Sequence, residues 1–104
     1  MSETPFEHNT LNEQQCRIVR KRANIYGDPR ENHRAIASCW AGLLAPHAES
    51  IARLEPLPEH VVALMMSMFK LCRMRMCYHE DNYDDARVYL SFAQAWQEEE
   101  ENRR

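Results

Sequence analysis

The chain has 104 residues, and thirteen Lys and Arg against sixteen Asp and Glu give it a formal net charge of -3. That balance weighs against general nucleic-acid binding, which needs a clear basic excess to release counterions. With 44% apolar and 28% charged residues, the chain can fill one hydrophobic core but not two, so residues 1–104 are expected to form a single domain.

No apolar run approaches the roughly 20 residues of a transmembrane helix, so no membrane association is expected. The polar, acidic opening lacks the features of a secretory leader, and Ser2 stands where myristoylation requires glycine. A cytoplasmic protein with reduced thiols is therefore the expectation for Cys16, Cys39, Cys72 and Cys77. No C-x-x-C is present, so they read as small buried apolar residues rather than zinc ligands. Only two glycines disfavour a turn-rich β-sandwich or barrel.

Residues 1–9 read as a frayed lead-in. The first helix is expected over 10–26, with Leu11, Cys16, Val19, Ala23 and Tyr26 as a loose apolar stripe. Arg17, Arg20, Lys21 and Arg22 cover much of its remaining surface. Gly27 stands where a helix-ending glycine belongs. Asp28-Pro29-Arg30-Glu31 then reads as N-cap, N1 proline, N2 and N3 glutamate, with Asp28 accepting from the N3 amide and Glu31 reaching back. The second helix follows over 29–44, its apolar face made by Ile36, Ala37, Trp40, Leu43 and Leu44 and extended by His33.

Residues 45–57 read as a connection with a short helical turn at 49–54. Pro58 is expected at N1 of a third helix over 58–78. That helix is apolar nearly all round, as in the central member of a bundle or one that also carries an oligomer interface. Its clustered methionines, Met65 to Met76, read as core packing at helical spacing. A fourth helix is expected over 83–99, with Ala86, Tyr89, Phe92, Ala93 and Trp96 buried. The acidic tail 98–104 opposes the helix dipole and is expected to fray. The fold class is thus all-α: a compact bundle of about four helices, with homo-oligomerisation as a route to completing its core.

Three constellations could carry chemistry. Asp81, Asp85 and Tyr89 share one helix face, and carboxylates one turn apart repel unless a cation lies between them. Either Mg²⁺ fills that role, or these aspartates cap the helix and pair with Lys70 or Arg73. Lys70 and Arg73, three apart on an apolar helix, form a phosphate clamp or an internal ion pair. The corner Tyr26 to His33 offers free helix amides and Arg30 to an anion, Tyr26 to a base, and Asn32 and His33 as hydrogen-bonding groups. The alternative there is a well-capped turn with Tyr26 and His33 packed inward.

With those residues placed, the chain resembles a family of small helical proteins, mostly from tailed phages and prophages, classed as a domain of unknown function. The resemblance runs through Tyr26-Gly27-Asp28-Pro29, Glu31-Asn32, Ile36-Ala37, Trp40, Val62-Ala63-Leu64-Met65-Met66, Lys70-Leu71-Cys72-Arg73, Asp81-Asn82, Asp85-Ala86 and Tyr89, over about residues 17–96. That family is similar, more distantly, to nucleotide-modification-associated phage proteins and to MazG-like and dUTPase-like all-α nucleotide pyrophosphatases. The resemblance implies a nucleotide-shaped site. Where Mg²⁺ is held between acidic motifs, the matching positions are Glu31 with Asp28, and Asp81 with Asp85 or Asp84.

Three functions are consistent with these residues. The first is sequestration of a nucleotide or cyclic nucleotide signal in an infected bacterial cell, with no cofactor. Phosphates would meet Arg30, Lys70 and Arg73, a base would stack on Tyr26 or Tyr89, and Asn32 and His33 would add hydrogen bonds. The second is a Mg²⁺-dependent nucleoside-triphosphate pyrophosphatase, with Glu31, Asp81 and Asp85 as metal ligands. The third is an inhibitor that docks on a host defence protein.

Overall fold

Helix boundaries in this chain are decided by its caps. The structure is a computed structural model that describes residues 11–104, so the lead-in at 1–9 lies outside the described residues, while helix one starts at Glu13, three residues after the expected 10, because Asn12 caps it. Helix α1 (Glu13–Tyr26) opens with a capping box: the Gln15 amide donates to Asn12 Oδ1 at 2.8 Å, and the Asn12 amide donates to Gln15 Oε1 at 3.0 Å. It ends at Gly27, whose φ of 87° lies in the region that favours glycine, and whose amide donates to the Ala23 carbonyl at 2.8 Å.

Helix α2 (Pro29–Leu44) starts and stops where its sequence signals place it. Asp28 caps it, but through the N2 amide: Arg30 N donates to Asp28 Oδ1 at 2.8 Å. Glu31 makes no return bond, so the reciprocal capping box belongs to α1 and not to this corner. Beyond Leu44 a 3₁₀ turn, Ala45–His47, accommodates Pro46 and leads into the short helix α3 (Ala48–Ala52). The helical segment of the connection therefore comes earlier than the expected 49–54. Proline early in a 3₁₀ turn loses no hydrogen bond, so Pro46 does not break the chain direction there.

Helix α4 (Glu59–Met74) begins one residue later than expected, with Pro58 as its cap residue rather than N1. It also ends four residues short of the expected 78. The Cys77 thiol donates to the Ile25 carbonyl at 2.6 Å, which draws the following segment across the end of α1 instead of continuing the helix. Helix α5 (Glu80–Asn102) starts three residues before the expected 83 and runs through the glutamate tail. Local partners offset the unfavourable dipole there: Gln94 donates to Glu98 at 3.0 Å, Arg103 lies 3.9 Å from Glu99, and His60 of α4 lies 3.3 Å from Glu100.

The architecture is an all-α bundle with α4 in the middle. One side of α4 meets α5 through small residues: Ala63 and Ser67 face Ala86 and Ala93, all four buried. The Ser67 hydroxyl donates to the Ala86 carbonyl at 3.1 Å, which satisfies a buried polar group and fixes the register of the pair. The opposite side of α4 meets α2. There Ile36 is buried, Trp40 Nε1 donates to the Met65 carbonyl at 2.8 Å, and the Cys39 and Cys72 thiols sit 3.8 Å apart. Helix α1 buries no residue and is held chiefly through the corner that joins it to α2.

This layering explains one departure from the expected core. Phe92 and Trp96 are not buried; they are 43% and 37% exposed, and Tyr89 is half-buried. Helix α5 has α4 as its main neighbour, and that contact uses alanines, so its aromatic stripe lies to one side. His33 likewise is exposed rather than part of the α2 core face.

Cys72 is buried while the other three cysteines are half-buried. Burial pushes the Cys72 thiol above its ordinary value, and the neighbouring Cys39 thiol adds to that shift. A raised folded-state value means that stability is fully present below the unfolded value of about 9 and is lost as pH rises beyond it. Unfolding free energy should therefore fall with pH above about 9, and Cys72→Ala should flatten that slope. Urea titrations of both proteins across that range would check this; equal slopes would contradict it.

Candidate functional site: a basic corner between α1, α2 and α4

The corner is built around Tyr26, the last residue of α1. Its carbonyl accepts from Asn32 Nδ2 at 2.7 Å, which ties the end of α1 to the first turn of α2. Its hydroxyl lies 3.4 Å from Nδ2 of Asn82, a buried residue in the first turn of α5. Its ring centroid lies 5.8 Å from that of His79. Asn32 is held from the other side as well, since an Arg75 guanidinium nitrogen donates to its Oδ1 at 2.9 Å. His33 Nδ1 lies 2.6 Å from the Pro29 carbonyl, an interaction within α2. Gly27 lies beside the Met76 side chain, with a Cβ there meeting it at 3.8 Å, so its positive φ rather than crowding makes this position glycine.

Against this frame lies Arg73, from the last turn of α4. Its guanidinium carbon sits 4.5 Å from the Phe69 ring centroid and 4.8 Å from that of Tyr26. Two aromatic rings therefore orient the planar fork. No described carboxylate pairs with it, so its N–H donors are available to an external anion. Two clefts meet here and share Arg22, Tyr26 and Arg73: one of about 90 Å³ toward Asn32, His33 and Ile36, the other of about 290 Å³ toward Ile18, Lys21 and Ile25. The site thus presents Lys21, Arg22 and Arg73 around an aromatic group.

The structure brings Tyr26, Asn32, His33 and Arg73 together, four of the residues expected to bind a ligand. Lys70 is elsewhere engaged: its Nζ lies 3.1 Å from Asp85 Oδ2, with its side chain only 16% exposed. Arg30 is exposed on the first turn of α2 and lines neither cleft. Tyr89 lies away from the corner, in the apolar groove it shares with Val62, Phe92 and Trp96. The sequence marks Lys21 and Arg22 only as cover on the first helix. The signal that could have found them is spacing, since Arg22 precedes Tyr26 by four residues and so shares its face.

The acidic residues are dispersed. Asp81 and Asp85 sit one turn apart on α5, Asp85 is paired with Lys70, Asp84 lies 3.2 Å from Arg87, and Glu31 is on α2. Among the described residues no group of three or more His, Cys, Asp or Glu side chains is placed to hold a metal ion. Among the same residues no helix is long and apolar enough to cross a membrane.

The family model described as a domain of unknown function (DUF6378) matches residues 9–97. The Gene 55 protein of Mycobacterium phage L5 is 34% identical over 84 residues, a stretch covering 80% of this chain and 49% of that protein. The chain thus spans about half the length of the curated relative it matches. No solved structure matches it. The two matches agree with a resemblance to phage-encoded helical proteins of unknown function. Neither bears on nucleotide-modification or MazG-like proteins, so that more distant likeness stays an expectation.

Proposed function

The chain belongs to the DUF6378 family, and from that premise we propose that it binds a nucleotide or cyclic nucleotide signal at the basic corner and acts by sequestration in the cytoplasm of an infected bacterium. One observation carries this reading: Arg73 is oriented by Tyr26 and Phe69, has no described carboxylate partner, and stands beside Arg22 and Lys21. Neighbouring cations with no carboxylate partner among the described residues favour a multiply charged anion. The Tyr26 ring and the apolar wall of Ile18 and Ile25 suit a ligand that joins phosphates to a flat organic group. A cleft of about 290 Å³ takes a phosphate chain and leaves the rest of a nucleotide to extend outward.

The dispersal of Glu31, Asp81 and Asp85 supports binding over metal-dependent hydrolysis, because phosphoryl cleavage of that kind needs carboxylates converging on shared metal ions. Arg73, Arg22 and Lys21 take the phosphate-binding role in this reading. Lys70, tied to Asp85, contributes through the stability of the α4–α5 pair.

Equilibrium dialysis against nucleoside triphosphates and cyclic dinucleotides, in EDTA and in Mg²⁺, tests the proposal. Retention of an intact nucleotide in EDTA supports it. Conversion to a monophosphate in Mg²⁺ would favour the hydrolase, and absence of both would favour docking on a host protein.

A further inference from the structure

We infer that Cys39 of α2 and Cys72 of α4 form a redox-active dithiol, which hydrogen peroxide converts to a disulfide that ties α2 to α4. This reactivity is independent of ligand binding at the basic corner. The Cys72 thiol donates to the Cys39 sulfur at 3.8 Å, although the two lie 33 residues apart in the chain. A disulfide needs about 2.05 Å, so from 3.8 Å each sulfur has to move by about 0.9 Å, which side-chain rotation supplies. The other two cysteines face oxygen instead of sulfur. Cys16 donates to the Leu11 carbonyl at 3.9 Å, and Cys77 donates to the Ile25 carbonyl at 2.6 Å.

Contacts on both sides of the sulfur pair hold the two helices together. Toward the start of α4, Trp40 Nε1 donates to the Met65 carbonyl at 2.8 Å. Toward its end, Arg75 donates to Asn32 Oδ1 at 2.9 Å. Cys39 and Cys72 therefore meet as neighbours in a packed interface, and their reaction needs no large motion of either helix.

Exposure divides the roles. Cys39 is half-buried and Cys72 is buried, so the oxidant reaches Cys39. Burial also pushes the Cys72 thiol above its ordinary value, which keeps it in the unreactive protonated form while Cys39 reacts. In the first step the Cys39 sulfur attacks one peroxide oxygen. The O–O bond breaks, a sulfenic acid forms, and the other oxygen leaves as water with the Cys39 proton. In the second step the Cys72 sulfur attacks the Cys39 sulfur. The S–S bond forms, the S–O bond breaks, and the hydroxyl leaves as water with the Cys72 proton. The thiols are oxidised by a pair of electrons, and one peroxide is reduced to a pair of waters. The product joins α2 to α4 at the residue before Arg73.

Peptide mapping of the full chain after treatment with hydrogen peroxide tests the pair. Trypsin cuts after Arg17, Arg34, Lys70, Arg73 and Arg75, which puts the four cysteines on separate peptides. The expected product is the Cys39 peptide linked to the Cys72 peptide, with Cys16 and Cys77 still open to alkylation in denaturant. The double variant Cys16→Ser, Cys77→Ser should form the same bond, and neither Cys39→Ser nor Cys72→Ser should form it. Because the bond closes a long loop within the native fold, Tm should rise by about 10 °C. Absence of the linked peptide, linkage through Cys16 or Cys77, or a Tm that does not rise would overturn the inference.

Dimedone, which captures sulfenic acids, tests the order of attack. It should label Cys39 in Cys72→Ser and leave Cys72 in Cys39→Ser unlabelled. Label at Cys72 without label at Cys39 would overturn that order.

Discussion

Trp40→Ala lowers the unfolding free energy by about 3 kcal/mol, the low end of the usual range for tryptophan truncation because the side chain is half-buried. Trp40 joins α2 to α4 through ring packing and through the bond from Nε1 to the Met65 carbonyl at 2.8 Å. Beside it, Ile36 is buried, Cys39 touches Cys72, and Arg75 at the end of α4 donates to Asn32 of α2. Trp40→Phe retains most of the ring and loses the donor, so it should cost only about 1 kcal/mol. Urea denaturation of the three proteins at one pH separates the two contributions. A loss below about 1 kcal/mol for Trp40→Ala would mean that α2 is held by something other than this contact.

If the basic corner holds a nucleotide as proposed, Arg73→Ala weakens that binding roughly 10- to 100-fold, the size of one lost charge-assisted contact of about 1.5–3 kcal/mol. The guanidinium lies between Phe69 and Tyr26, so the same change also removes the stacking that orders the corner. Arg73→Lys keeps the charge but loses the planar fork, and it should fall between the two. Lys70→Ala is the informative companion. Its ion pair with the half-exposed Asp85 contributes at most about 1 kcal/mol to stability, and affinity should change less than about threefold. Calorimetric titration with one triphosphate ranks the variants. A larger loss for Lys70→Ala than for Arg73→Ala would move the phosphate site to the α4–α5 face.

The parts of the fold that were legible in the sequence are those with local chemistry. Gly27-Asp28-Pro29 marks the α1–α2 corner because positive φ, side-chain capping and a missing amide each act within a few residues. The start of α5 had no such mark: His79 makes no side-chain capping bond, so the run of aspartates drew the expected boundary three residues too late. The end of α4 depends on a contact between Cys77 and Ile25, far apart in the chain, which no local pattern reports. The aromatic stripe of α5 has helical periodicity, but periodicity cannot say whether one neighbour or two will cover it.

The candidate site divides in the same way. Tyr26, Asn32, His33 and Arg73 were legible as residue types that suit a ligand, and they do meet. That Asn32 already spends both ends of its amide on Tyr26 and Arg75 was not legible, because those partners come together only in the tertiary structure. In the sequence Lys70 and Asp85 fit either a ligand site or an internal ion pair, and the structure places them 3.1 Å apart. Lys21 and Arg22 read in the sequence as cover on the first helix, and only the tertiary structure shows that they line one cleft with Arg73.

Native mass spectrometry of the intact chain, mixed with nucleoside triphosphates and cyclic dinucleotides in the presence of EDTA, tests the central claim most directly. Sequestration at the basic corner predicts an added mass equal to one intact nucleotide per chain, absent from Arg73→Ala and retained by Lys70→Ala. A spectrum showing no bound nucleotide for the wild type, or the same bound mass for Arg73→Ala, would contradict it.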